Sequence, residues 1–265
     1  MHKKGQITTF IILGIILLAI VAFVIYVRQA TQPISKQAAT TTTEVAPVQA
    51  FVDKCLQNIG EEGIVHNSLQ GGYYHNFYLD TLPVSVPVYF DGFKLSIPTE
   101  DKLRAELEAY VKDNLQGCIG NFTSLQGFNV VEEGNVSIST MILGDQKISL
   151  AYNYPIKING KVELRKFSEE YDFRLGKIYN LAKQLASQSQ LVPTSICLSC
   201  YINAGIENDL TIDSINFERN AFVSMKNLTT VKERYVVITI KDRTTKTPLN
   251  FAYAIKLAQP LPVGA

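Results

Sequence analysis

From Ile7 to Val27 the chain reads ITTFIILGIILLAIVAFVIYV, an apolar run interrupted only by Thr8, Thr9 and Gly14 and free of charge and proline. At ~1.5 Å per residue a helix of this length covers about 30 Å, the thickness of a bilayer's hydrocarbon core. A secretory h-region is only ~7–15 residues long and closes on a small-residue cleavage pattern, which this run lacks. The expectation is therefore a charged leader at residues 1–6 and a transmembrane helix at residues 7–28. His2, Lys3 and Lys4 precede the run and Arg28 alone follows it closely. The positive-inside bias then leaves the N-terminus in the cytoplasm and carries the rest of the chain across the cell membrane as a single-pass protein.

Residues 29–47 lose all periodicity and contain Pro33, Pro47 and four consecutive threonines, Thr40 to Thr43. They read as a spacer, because proline and β-branched residues do not extend a helix smoothly. Periodic patterns resume in residues 48–260. Val48, Phe51, Val52, Cys55, Leu56 and Ile59 recur at helical spacing until Gly60 and Gly63 punctuate them, and QGGYY at Gln70 to Tyr74 marks a turn. Between Tyr73 and Pro98, short β-like runs alternate with Pro83, Pro87 and Gly92, the composition of an edge strand or hairpin. A second helix is expected after Pro98, capped by Thr99 or Asp101, with Leu103, Leu107, Tyr110, Val111, Leu115, Cys118 and Phe122 on its apolar face.

The period then drops to two. Phe128 to Glu133, Val136 to Leu143, Lys147 to Ile158 and Lys161 to Phe167 predict an antiparallel meander with a hairpin at Asn159-Gly160. A third helix is expected from Ser168 to Ser187, with Tyr171, Leu175, Ile178 and Leu181 inward. Strands at Leu210 to Phe217, Ala221 to Leu228, Tyr235 to Lys241 and Phe251 to Leu257 close the chain. Helices and strands fall in blocks, so the fold class is α+β, an extracytoplasmic domain with antiparallel sheet and about three amphipathic helices.

Composition narrows the partners. Of 265 residues 25 are Lys or Arg and 24 Asp or Glu, with no basic stripe, so nucleic acid is excluded as a partner. Thirteen Tyr and thirteen Phe without Trp suit pleated sheet surfaces, or a face that holds a partner.

Lys3-Lys4-Gly5-Gln6, followed directly by the apolar run, resembles the archaeal class III signal peptide of type IV pilin-like proteins. The resemblance implies that a prepilin peptidase cuts between Gly5 and Gln6 and that the hydrophobic helix survives processing. It covers about the first twenty-five residues and departs from the pattern at Phe10, where such pilins carry a glutamate that helps subunits enter the filament. The GIVHNSLQGGYY stretch resembles uncharacterised archaeal membrane-anchored proteins, which implies no activity.

Four cysteines on an oxidising side predict disulfides. Cys55 and Cys118 lie on apolar helix faces and are expected to pair, leaving Cys197 and Cys200 as a C-x-x-C. That motif is read as a structural disulfide, with thiol–disulfide exchange as the reactive alternative. It follows a helix rather than a strand, unlike the thioredoxin-like arrangement. A metal site is not expected, since His66 and His75 alone stand outside the leader and read as loop residues. No cofactor motif occurs. The adjacent carboxylates Glu61-Glu62, Glu132-Glu133 and Glu169-Glu170 point apart and are expected in solvent. Sequons at Asn121, Asn135 and Asn227 are candidate glycosylation sites.

The resulting expectation is a non-enzymatic, membrane-anchored surface protein that binds a partner or has a structural role in the cell envelope through its sheet. The partners are the lipid bilayer, prepilin peptidase, and other surface proteins or further copies of the chain. The alternatives are a pilin-like filament subunit and an envelope thiol oxidoreductase.

Overall fold

The computed structural model describes residues 45–75, 86–224 and 229–258. The expected leader, membrane helix and nearly all of the spacer lie outside these residues, and among those described no helix is long and apolar enough to cross a membrane.

The fold is α+β and carries two four-stranded sheets. Helix α1 (Ala46–Leu69) starts on Pro47, which is pre-set for a first helical turn, and buries Val48, Val52, Cys55, Leu56, Ile59 and Ile64. It does not stop at Gly60 or Gly63. Both glycines serve close packing: a Cβ on Gly60 would lie 2.0 Å from the Tyr171 hydroxyl, and one on Gly63 would lie 2.7 Å from the Tyr110 ring. Tyr171 uses this gap to donate to the Leu56 carbonyl (2.9 Å) while its oxygen accepts from the Tyr152 hydroxyl (2.8 Å). Burial pushes the pKa of both phenols up, so they remain protonated donors.

Strand β1 (Val88–Phe90) follows the proline-rich segment. Helix α2 (Glu100–Ile119) is capped by Thr99, whose Oγ1 accepts from the Lys102 N–H, and buries Leu103, Leu107, Val111, Leu115 and Ile119 at four-residue intervals. A short 3-10 turn, Gly120–Phe122, ends it.

The first sheet is built on β4 (Ile148–Ile158), with β5 (Val162–Tyr171) along one edge. Strands β2 (Val130–Glu132) and β3 (Ser137–Leu143) both pair with the other edge of β4, end to end. Strands β3, β4 and β5 form the expected antiparallel meander with its hairpin at Asn159-Gly160, and the correction falls on β2, which does not pair with β3. Residues 133–136 do not reverse the chain but carry it along the same edge, where the Glu133 N–H donates to the Pro155 carbonyl. Strand β5 also runs on to Tyr171, four residues past its expected end. Phe167, Glu169 and Tyr171 therefore alternate inward on a strand instead of opening a helix, and Glu169 is buried rather than solvated.

Helix α3 (Leu175–Gln188) buries Leu175, Ile178, Tyr179, Leu181, Ala182 and Leu185. Helix α4 (Leu198–Asn208) follows it. The second sheet has the order β1-β8-β7-β6, formed by β6 (Thr211–Ser224), β7 (Thr229–Asp242) and β8 (Leu249–Leu257). The strand expected at Leu210 to Phe217 and the start of the one expected at Ala221 to Leu228 are one 14-residue strand, because no Gly or Pro interrupts them, and residues 225–228 lie outside the described residues. Strand β1 lies parallel to β8 at the sheet edge, whereas antiparallel pairing was expected. Helix α1 packs on β5 of one sheet and β8 of the other, which joins both into one core. Tyr89, Tyr152, Tyr154, Tyr171, Tyr179, Tyr201, Tyr235 and Tyr253 are buried in the interior, so most of the tyrosine content is packing and not a binding face.

Candidate functional site, the surface disulfide and apolar face of helix α4

Helix α4 begins on a C-x-x-C. Cys197 is its N-cap residue: its Sγ accepts from the Cys200 N–H at 3.3 Å, and the Ser199 hydroxyl lies 3.5 Å from the same sulfur. The Cys197–Cys200 disulfide closes the first turn, with Cys197 exposed and Cys200 half-buried. The inner face of the helix carries Tyr201, Ala204 and Gly205 against the core. The outer face carries Leu198, Ile202 and Ile206 at four-residue spacing, 58%, 62% and 75% exposed. Leu191 and Val192, in the segment leading to the helix, are exposed as well. Glu207 is the one charged residue of α4.

This exposed face contrasts with that of α2, where Lys102 pairs with Glu106 and Lys112 with Glu108 along the solvent side. Isolated exposed leucines are ordinary, but a continuous apolar stripe on a helix marks a surface that meets another apolar surface.

The far end of α4 is held by a buried ion pair. Arg174 donates through Nε to Asp242 Oδ2 (2.7 Å) and through Nη2 to Asp242 Oδ1 (2.8 Å), and Nη2 also donates to the carbonyl of Asp209, the C-cap residue of α4 (2.9 Å). Thr244 completes the carboxylate shell through its N–H and its hydroxyl. Burial on its own would raise the Asp242 pKa, but the Arg174 guanidinium and the Thr244 donors outweigh it and hold the carboxyl at about 2. One charge pair thus fixes β7, the start of α3 and the end of α4 together.

The second disulfide has a different setting. Cys55 and Cys118, which lie on the apolar faces of α1 and α2, are bonded, with Cα atoms 5.7 Å apart and a sequence separation of 63. By loop-closure entropy such a bridge is worth about 4 kcal/mol, against about 2 kcal/mol for the short Cys197–Cys200 loop. Among the described residues no cysteine is free.

The other sequence candidates do not converge on a reactive centre. His66 is half-buried in the last turn of α1, not in a loop, with its ring 5.2 Å from Tyr110 and 5.7 Å from Tyr74. His75 packs on Tyr74 at 4.1 Å. Among the described residues no three His, Cys, Asp or Glu side chains gather to hold a metal ion. Glu61 accepts from the Thr247 hydroxyl, Glu133 pairs with Lys157 and Glu170 pairs with Lys147. A cleft of about 200 Å³ lies beside Glu61, Glu170, Asp172, Lys246 and Thr247, lined by mixed charges, with the Thr247 hydroxyl held by Glu61 at 2.7 Å. Asn121 and Asn135 are exposed, and Asn227, Gly5 and Gln6 lie outside the described residues.

Sequence reasoning found the C-x-x-C but missed the helix beneath it, since LSCYINAGIEN carries apolar residues on two faces and gives no single stripe. The recurrence of Leu198, Ile202 and Ile206 was the available signal. No protein-family model matches this chain, and no curated protein matches it.

Proposed function

We propose that the protein is a membrane-anchored, extracytoplasmic binding module whose partner docks on the outer face of helix α4. The observation that carries this reading is the bare Leu198, Ile202 and Ile206 stripe, held in place by the buried Arg174–Asp242 pair. The anchor is the apolar run Ile7 to Val27, oriented by Lys3 and Lys4, with prepilin peptidase cutting between Gly5 and Gln6. Two paired disulfides support placement on the oxidising side of the membrane. The chain acts by binding rather than turnover, and Phe10 argues against assembly into a pilin-like filament.

A photo-crosslinking amino acid placed at Ile206 of the full chain on intact cells should give an adduct of discrete mass. The same probe at the exposed Lys166 on β5 should give none. Equal yields at the two positions, or no adduct at Ile206, would rule out α4 as the binding face.

A further inference from the structure

The Cys197–Cys200 disulfide is poorly placed to stabilise the fold and well placed to react. Only Leu198 and Ser199 separate its ends, and both ends lie in the first turn of one helix. Cys197 is exposed, so an incoming sulfur can reach it, whereas Cys55 is buried between α1 and α2. The first-turn amides of a helix favour negative charge and lower the pKa of a thiol placed there. Here the donors are already aimed: the Cys200 N–H points at Cys197 Sγ, and the Ser199 hydroxyl lies beside it. Helix α4 follows α3 rather than a strand, so the case rests on this local geometry and not on a thioredoxin-like unit.

We infer that Cys197–Cys200 is an exchangeable disulfide that accepts two electrons from a polypeptide dithiol docked on the α4 stripe. The inference rests on the reading of that stripe as the binding face and names the chemistry of the partner. Leu198 stands between the two cysteines, so the stripe begins at the reactive bond and continues along Ile202 and Ile206. An incompletely folded chain exposes apolar side chains together with its thiols and matches such a surface. A small charged thiol finds no cation on α4, whose single charge is Glu207.

In the first step a thiolate of the polypeptide attacks Cys197 Sγ. The bond to Cys200 breaks, its electron pair leaves on Cys200 Sγ, and that sulfur takes up a proton. The polypeptide is now joined to Cys197 by a mixed disulfide. A second thiolate of the polypeptide then attacks its own sulfur in that bond, and Cys197 leaves as a thiolate held by the Cys200 N–H. Cys197 then takes up the second proton, so that the polypeptide loses two electrons and two protons and gains a disulfide, while Cys197 and Cys200 become thiols.

The test uses the full chain in detergent and a reduced peptide carrying two cysteines among leucines and phenylalanines. Alkylation and peptide mass mapping should show Cys197 and Cys200 opening, with one peptide disulfide formed per chain, while Cys55–Cys118 stays closed. Offered the oxidised peptide, Cys200→Ser should retain it on Cys197 about tenfold more than Cys197→Ser retains it on Cys200. Ile202→Ser with Ile206→Ser should slow transfer from the peptide about tenfold more than transfer from a small uncharged dithiol. Equal retention by the two cysteine variants, or a Cys197–Cys200 bond that opens only together with Cys55–Cys118, overturns the inference even if Ile206 still crosslinks a partner. Exchange that proceeds with equal slowing for peptide and small dithiol overturns the docking face alone.

Discussion

Asp242→Ala should lower the stability of the domain by about 3–5 kcal/mol, because it leaves the buried Arg174 guanidinium with only the exposed Asp209 carboxylate, 3.7 Å from Nη1, as a counter-charge. Asp242 is fully buried and accepts from Arg174 twice and from Thr244 twice. Removing it also releases the Thr244 turn and weakens the hold of Arg174 on the Asp209 carbonyl at the end of α4. Urea titration followed by circular dichroism measures the loss, and a change below 1 kcal/mol would show that Arg174 finds solvent or another partner. The pair also sets an acid limit. The Asp242 carboxyl falls from its usual 3.8 to about 2 in the folded chain. Its contribution is therefore complete above pH ~4 and disappears as pH falls through 2, when the folded carboxylate protonates. Asp242→Asn should be less stable at neutral pH and should lose less than the wild type between pH 4 and 2.

Cys55→Ser should cost about 2–5 kcal/mol, the range for loss of a native disulfide. The bridge joins α1 to α2 across a sequence separation of 63, and Cys55 is itself buried, so serine also places a hydroxyl in an apolar site. Cys200→Ser should cost less, since it opens a loop that restrains little of the unfolded chain. Thermal melts of the two variants separate these effects. A larger loss from Cys200→Ser would mean that the surface disulfide supports the fold, and its availability for exchange would then be in doubt.

Much of the architecture is readable where one face of an element meets the core. Leu103, Leu107, Val111 and Leu115 recur every four residues and locate α2, and Thr99 with Glu100 and Asp101 marks its start. Period-two patterning locates β4 and β7, whose neighbours lie on both sides. The same signals fail where a residue serves a distant contact. Gly60 and Gly63 look like helix breakers, yet each makes room for a tyrosine from elsewhere in the chain. Tyr171 fits an inward position on either a helix or a strand, and pairing with Ile148 of β4 decides for the strand. The cysteine pairs were visible in the sequence, but the outward stripe of α4 was not, since an apolar face left exposed among the described residues breaks the inside-outside pattern on which such reading depends.

The proposal as a whole depends on the domain standing outside the cell on a membrane anchor. Intact cells carrying the full chain with an epitope after Ala265 can be treated with a protease that does not cross membranes. The epitope should disappear without lysis, leaving an N-terminal fragment with the apolar segment in the membrane fraction. An epitope that survives on intact cells and is lost only after lysis would place the domain in the cytoplasm and contradict the account.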